Sequence, residues 1–194
     1  SLWAKKSTKD GLLWMPLITH MSDCAALSTR LWHLWLPEGV KRTICANLAD
    51  EDTAIRLFAF LAAAHDIGKA TPVFQAKSAQ YPRGDLDERI EERIVSAGLP
   101  IRADRDFAHP SKTPHALATQ ILLEHAGCMR SVAVILGAHH GKPQSGEIIL
   151  NSGIGVYGEN YHLGRTGRDS WSAVQRELIG FALDLAGFSS IEEL

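Results

Sequence analysis

The sequence has no uninterrupted apolar run near the roughly 18 to 20 residues that cross a bilayer. Its start, SLWAKKSTKDG, lacks the apolar stretch of a secretory signal. Together these absences predict a cytosolic (cytoplasmic) chain with no membrane association. Cysteine is scarce as well. Cys24, Cys45 and Cys128 are far apart in sequence and outside any C-x-x-C spacing, which argues against a disulfide framework or a thiolate zinc site and leaves them as small core residues. An excess of either charge is also missing. Twenty basic against 22 acidic side chains leave a formal charge of −2, so bulk charge gives no footprint for nucleic acid or an anionic membrane, and any polyanion must be bound locally or delivered by a partner. Strand signals are nearly absent, with EIIL at 147–150 the one plausible short strand. What is present is 194 residues, 45% of them hydrophobic, enough for one well-packed core. The expectation is therefore a single all-α domain over 1–194.

Helical periodicity carries most of the chain. From Pro16 to Leu36, Leu17, Cys24, Leu27, Leu31 and Leu34 recur at steps of three and four, with His20 on the same face. A second helix, capped by Asp52 or Thr53, runs to Ala64 and is apolar nearly all round, which predicts a central position with Gly68 closing it in the left-handed conformation. The segment from Ala70 to Pro110 reads as a surface excursion containing one short helix, LDERIEERIVSAG. Thr113 and Pro114 read as cap and first position of HALATQILLEHAG, with His115 in its first turn. RSVAVILGAHHG is a further apolar helix, with His139 and His140 in its last turn and Gly141 ending it. Lys142 to Arg168 reads as a long Gly-rich loop. Asp169 then caps a final helix whose apolar stripe is Trp171, Val174, Leu178, Phe181 and Leu185.

The polar residues on these apolar helices need explaining. His20, His65 with Asp66, His115, and His139 with His140 come from four separate helices. One such histidine is an ordinary hydrogen-bonded core residue. Several imidazoles and a carboxylate buried together without partners would cost kilocalories each, whereas metal ions satisfy them jointly. Imidazole nitrogen and carboxylate oxygen suit manganese, iron, nickel, cobalt or zinc, and magnesium is also compatible. Neighbouring helical positions differ by about 100°, so His65 and Asp66 can approach one ion from different sides. The two oxygens of Asp66 also allow it to bridge to a second ion. Two metals about 3.5 to 4 Å apart form a clamp for in-line attack on phosphate esters. Lys69, just past the pair, is either a phosphate-reaching catalytic and substrate-binding ammonium or a solvated lysine at a helix end.

HDIGK, with a histidine upstream and H…HH downstream, resembles the HD phosphohydrolase superfamily. More narrowly, WMPLITHMSDCA, LAAAHDIGKATPVFQ, TPHALAT and GAHHGKP resemble the HD nuclease domain of the CRISPR-associated helicase-nuclease of type I interference systems, over nearly the whole chain. The resemblance implies an HD-domain helical bundle with a metal site between its central helices. It implies a nuclease that cuts single-stranded DNA and degrades it from 3′ to 5′. The strand would be displaced by an RNA-guided surveillance complex and threaded in by a superfamily 2 helicase domain or subunit. By motif position, His20, His65 and Asp66 would hold one divalent ion and Asp66, His115, His139 and His140 the other. Lys69 would be the motif lysine, and Lys69 and Lys142 would meet substrate phosphates. The family's helicase domains are not found in this sequence, nor is the A-D-W-like segment that supplies a further aspartate to the first metal, so that ion is expected to lack a ligand within 1–194. A local basic track would suffice for a domain fed by a helicase, with Lys69, Lys77, Arg83, Lys112 and Lys142 as candidates against an ordinary solvated surface. Trp3, Trp14, Trp32, Trp35 and Trp171 offer stacking faces, with core packing the stronger expectation for those on helical stripes. Two competing functions are a metal-dependent nucleotide phosphohydrolase and a metal-stabilised docking module without activity. The sequence HHGKPQSG lacks the Gly-Tyr-Pro that would mark a cyclic-dinucleotide enzyme.

Overall fold

In a computed structural model the chain is described throughout except at residues 1, 8, 10–12, 80–83, 102–106, 108–109, 147–157 and 162–163; for 159 and 164–169 the backbone alone is described. The fold is mostly helical, as the periodicity predicts. The helices given bounds among the described residues are α1 (Leu17–Leu34), α2 (Glu38–Cys45), α3 (Glu51–Ala64), α4 (Pro72–Gln75), α5 (Asp85–Ser96), α6 (His115–His125), α7 (Arg130–Gly137), α8 (Gly158–Tyr161) and α9 (Gly164–Ala186). None is long and apolar enough to cross a membrane.

A short antiparallel hairpin precedes them, β1 (Trp3–Ser7) paired with β2 (Leu13–Pro16). The sequence does not announce it, because its anchor lies 72 residues away. The Gln75 side chain accepts from Trp3 N (3.1 Å) and donates to Trp3 O (3.0 Å), completing β1 as a neighbouring strand would. The same amide donates to Lys69 O at 2.8 Å, so Gln75 ties the hairpin to the HDIGK segment. EIIL lies outside the described residues.

α3 is the central post, with α1 and α9 packed along it. Its cap is Asp50 rather than Asp52 or Thr53: the Asp50 carboxylate accepts from Thr53 N at 2.7 Å. The buried face of α1 also differs from the leucine stripe. Leu17, His20, Met21, Ala25, Ser28 and Trp32 face inward, while Leu27, Leu31 and Leu34 are exposed, Leu34 at 78%. α1 packs along α3, with Ala25 of one and Ala59 and Ala63 of the other in the same core, and Ser28 of α1 is buried as well. Trp32 completes the face, donating through Nε1 to Glu51 at 2.9 Å.

The segment after Ala70 is not a surface excursion. Ala70 to Gln75 are buried, and Leu86, Ile90, Ile94, Leu99, Ile101 and Phe107 join the main core, which runs from Leu2 to Ile191. The expected helix there is found as α5. α6 begins one residue later than predicted, with Pro114 as cap, and Thr113 is buried just before it. α9 begins at Gly164, so Asp169 lies inside the helix instead of capping it, and part of the expected loop is helical at α8. Trp171 of α9 is fully buried and donates to Pro100 O at 2.9 Å. Gln175, one turn on, donates to Ala70 O at 2.7 Å, fixing the chain just beyond HDIGK. Trp3, Trp32 and Trp171 are thus core residues, whereas Trp35 is exposed.

Candidate metal centre

His65 ends α3, and Asp66 follows into a 3₁₀ turn, Ile67–Lys69, that packs against the start of α6. Gly68 makes this approach possible. It is not in the left-handed conformation predicted for it; it is required because a Cβ there would lie 2.0 Å from His115 O and 2.5 Å from Thr119 N, both backbone atoms. Thr119 closes the junction. Its hydroxyl accepts from Gly68 N at 2.9 Å and lies 2.9 Å from His65 O and 3.0 Å from His115 O. Gly137 plays a similar part between α6 and α7, since a Cβ would meet the Gln120 side chain at 2.1 Å. His139 and His140 follow α7 in a turn beyond its last residue, and Gly141, at φ 99°, ends that turn.

These elements gather all six motif residues around one carboxylate. Asp66 Oδ2 lies 2.9 Å from His20 Nε2, 3.3 Å from His65 Nε2 and 2.6 Å from Lys69 Nζ. Oδ1 lies 3.2 Å from His115 Nε2 and 3.9 Å from His139 Nε2. His115 Nε2 is in turn 2.9 Å from His140 Nε2 and 3.3 Å from His139 Nε2. The carboxylate therefore stands between two imidazole groups and turns one oxygen to each.

The ring orientations fit a metal. His65 Nδ1 is 2.8 Å from Ala62 O and His139 Nδ1 is 2.6 Å from Leu136 O. A carbonyl only accepts, so both Nδ1 atoms carry a proton, and Nε2, which faces the site, is the atom left to ligate a metal in each ring, as in metal-ligating histidines. The Nε2 atoms of His139 and His140 both face that of His115, at 3.3 and 2.9 Å, an arrangement that suits the sharing of one cation. The charge pattern agrees. Burial raises the Asp66 carboxyl's pKa, but hydrogen bonds from His115 and His65, with the charge of His65 and the bond from Lys69, hold it far below the usual range. Burial lowers His20, outweighing the attraction of Asp66. Burial also lowers His139, helped by its histidine neighbours. His65 is raised, because its bond to Asp66 and the charge of Asp66 exceed the cost of its burial.

Lys69 is not a solvated surface lysine. It is 7% exposed and donates to Asp66 Oδ2 and to Ala4 O at 3.2 Å. Lys142 is exposed two residues past His140, itself exposed, so the centre opens on that side. Lys77 and Lys112 are exposed, and Arg83 lies outside the described residues. One group was missed. Cys24, expected to be a small core residue, is half-buried with Sγ 3.7 Å from His20 Nδ1. The i, i+4 spacing of His20 and Cys24 was the available signal.

The family model for the Cas3 HD domain matches residues 3–194. The chain belongs to the Cas3 HD domain family. The donor set just described fits a divalent metal. A curated CRISPR-associated nuclease/helicase Cas3 from Streptococcus thermophilus is 36% identical over 202 residues, covering 99% of this chain and 22% of the relative. The CRISPR-associated endonuclease/helicase Cas3 of Thermus thermophilus is 33% identical over 159 residues, covering 76% of this chain and 15% of the relative. A crystal structure of a CRISPR-associated protein superposes with a TM-score of 0.74 at 30% identity, over 97% of this chain and 19% of that one. The chain thus spans only 15 to 22% of the length of these proteins.

Proposed function

We propose that residues 1–194 form one HD-type nuclease domain that cleaves single-stranded DNA with two divalent ions, as an endonuclease and a 3′ to 5′ exonuclease in CRISPR interference. The observation that carries this reading is the position of Asp66, with Oδ2 facing His20 and His65 and Oδ1 facing His115 and His139. In this reading His20, His65 and Asp66 hold the first ion, and Asp66, His115, His139 and His140 hold the second. Manganese, iron, nickel, cobalt or zinc suits these donors, and magnesium is compatible. When bound, the ions supply Lewis-acid stabilisation of the entering and leaving oxygens of an in-line displacement at phosphorus.

The chain's own residues prepare that step. Ala62 O and Leu136 O accept from Nδ1 of His65 and His139 and fix both rings, so each Nε2 is aimed at the site before substrate arrives. Lys69 holds Asp66 Oδ2 and adds positive charge beside the developing negative charge of the transition state. Lys142, exposed beside His140, is placed to meet an incoming phosphate. The names of both curated relatives join a nuclease activity to a helicase. That supports a superfamily 2 helicase domain or subunit as the supplier of the strand, with an RNA-guided surveillance complex displacing it.

Circular single-stranded DNA and deoxynucleoside triphosphates, offered in parallel with manganese, cobalt, nickel, zinc or magnesium, test the reading. Nicking of the circle without nucleotide turnover is expected. Nucleotide hydrolysis without nicking would make the chain a nucleotide phosphohydrolase, and binding of metal without either reaction would make it a docking module.

Two further outcomes are expected. Lys69→Ala should leave bound metal unchanged and slow cleavage roughly 10- to 100-fold; metal analysis and single-turnover kinetics check this, and loss of metal would show that the lysine only shapes the site. Manganese at about a hundred times its Kd should stabilise the fold by about 2.7 kcal/mol, raising Tm by roughly 5 to 10 °C for a chain of this size. Differential scanning calorimetry with and without chelator reads this directly, and superimposable transitions would argue against a metal centre.

A further inference from the structure

α1 carries His20 and Cys24 one helical turn apart on the face turned toward Asp66. Cys24 Sγ is nearly equidistant from the two ring nitrogens of His20, at 3.7 and 3.8 Å. Donor atoms of His20, Cys24 and His65 all lie within 4.8 Å of one another, and this group is separate from His115, His139 and His140. His20 Nε2 and His65 Nε2 are 2.9 and 3.3 Å from Asp66 Oδ2. Around a tetrahedral ion, nitrogen and oxygen ligands are about 3.3 Å apart and a nitrogen and a sulfur ligand about 3.5 Å. The His20–Asp66, His65–Asp66 and Cys24–His20 spacings are close to these, and the other spacings within the His20, Cys24 and His65 group stay within 4.8 Å.

We propose that Cys24 is a further ligand, as thiolate, of the ion held by His20, His65 and Asp66. The inference rests on the two-ion reading above and deepens it. As the sulfur–metal bond forms, the thiol proton leaves to solvent. The first site then offers two imidazoles, one carboxylate and one thiolate, while the second offers three imidazoles and a carboxylate. A thiolate selects for zinc, iron, cobalt or nickel against magnesium and manganese, so the two sites differ in metal preference. Cys45 and Cys128 belong to neither ligand group among the described residues, so a sulfur ligand, if detected, is Cys24.

Cobalt(II) titrated into the reduced chain tests this by its absorption spectrum. A near-ultraviolet thiolate-to-cobalt charge-transfer band is expected, saturating at one cobalt in that site. Cys24→Ser should abolish the band while the visible ligand-field bands of the second site persist, and should weaken zinc binding at the first site by roughly tenfold or more. Cys45→Ser and Cys128→Ser should keep the band. Ligand-field bands without charge transfer in the unaltered chain would overturn Cys24 ligation and leave the two-ion reading intact. No cobalt bound at all would overturn both. Where Cys24→Ser does not fold, X-ray absorption of the zinc-loaded unaltered chain decides: a sulfur shell at about 2.3 Å supports the proposal, and a shell of nitrogen and oxygen alone overturns it.

Discussion

Asp66→Ala is expected to lower cleavage of single-stranded DNA by roughly 10³-fold or more, about 4 kcal/mol of transition-state stabilisation. The expectation follows from position. One carboxylate lies within 3.3 Å of His20, His65, Lys69 and His115, so its removal takes a ligand from both proposed ions at once. The variant should also be less stable without metal. Lys69 is buried against Asp66 Oδ2, and leaving a buried charge without its partner costs roughly 3 to 5 kcal/mol. Urea unfolding in chelator, beside the cleavage assay, separates the two losses. Full cleavage with unchanged metal content would remove Asp66 from its bridging role.

Gly68→Ala should be the most damaging substitution outside the ligands. The added methyl would stand 2.0 Å from His115 O and 2.5 Å from Thr119 N, and neither backbone atom can yield without moving α6. A loss of roughly 3 kcal/mol or more of stability is expected. Metal affinity should fall with it, because the displaced helix carries His115. The first effect is read by denaturant midpoint and the second by metal titration at a temperature where the variant is still folded. A variant as stable as the parent would show that the turn and α6 are not packed as described.

The site was legible in the sequence for a physical reason. Histidines at the ends or on the apolar faces of four helices conflict with burial, and a conflict repeated at His20, His65, His115, His139 and His140 points to one shared solution. The helices α3, α6 and α7 were legible through length and apolar periodicity. What escaped notice depends on distant or small residues. The hairpin of Trp3–Ser7 and Leu13–Pro16 is fixed by Gln75, and nothing within its own short strands, which include Lys5 and Lys6, carries a strong strand pattern. The inward face of α1 differs from the leucine stripe because leucines dominate a periodic reading, while the buried face includes the small residues Ala25 and Ser28. α2 has no buried residue, so core patterning carried no signal for it. Gly68 was assigned to a helix end by its position, although its role is set by a carbonyl 47 residues further along, that of His115. Cys24 reads in the sequence as a small core residue, since spacing alone does not show that its sulfur shares the site of His20 and His65.

The most direct test of the account is anomalous diffraction from crystals of this chain loaded with cobalt, which suits both donor sets. Two peaks are expected, one within ligand reach of His20, His65 and Asp66 and the other of Asp66, His115, His139 and His140. A single peak, or cobalt bound away from Asp66, would contradict the two-ion centre on which the proposed nuclease function depends.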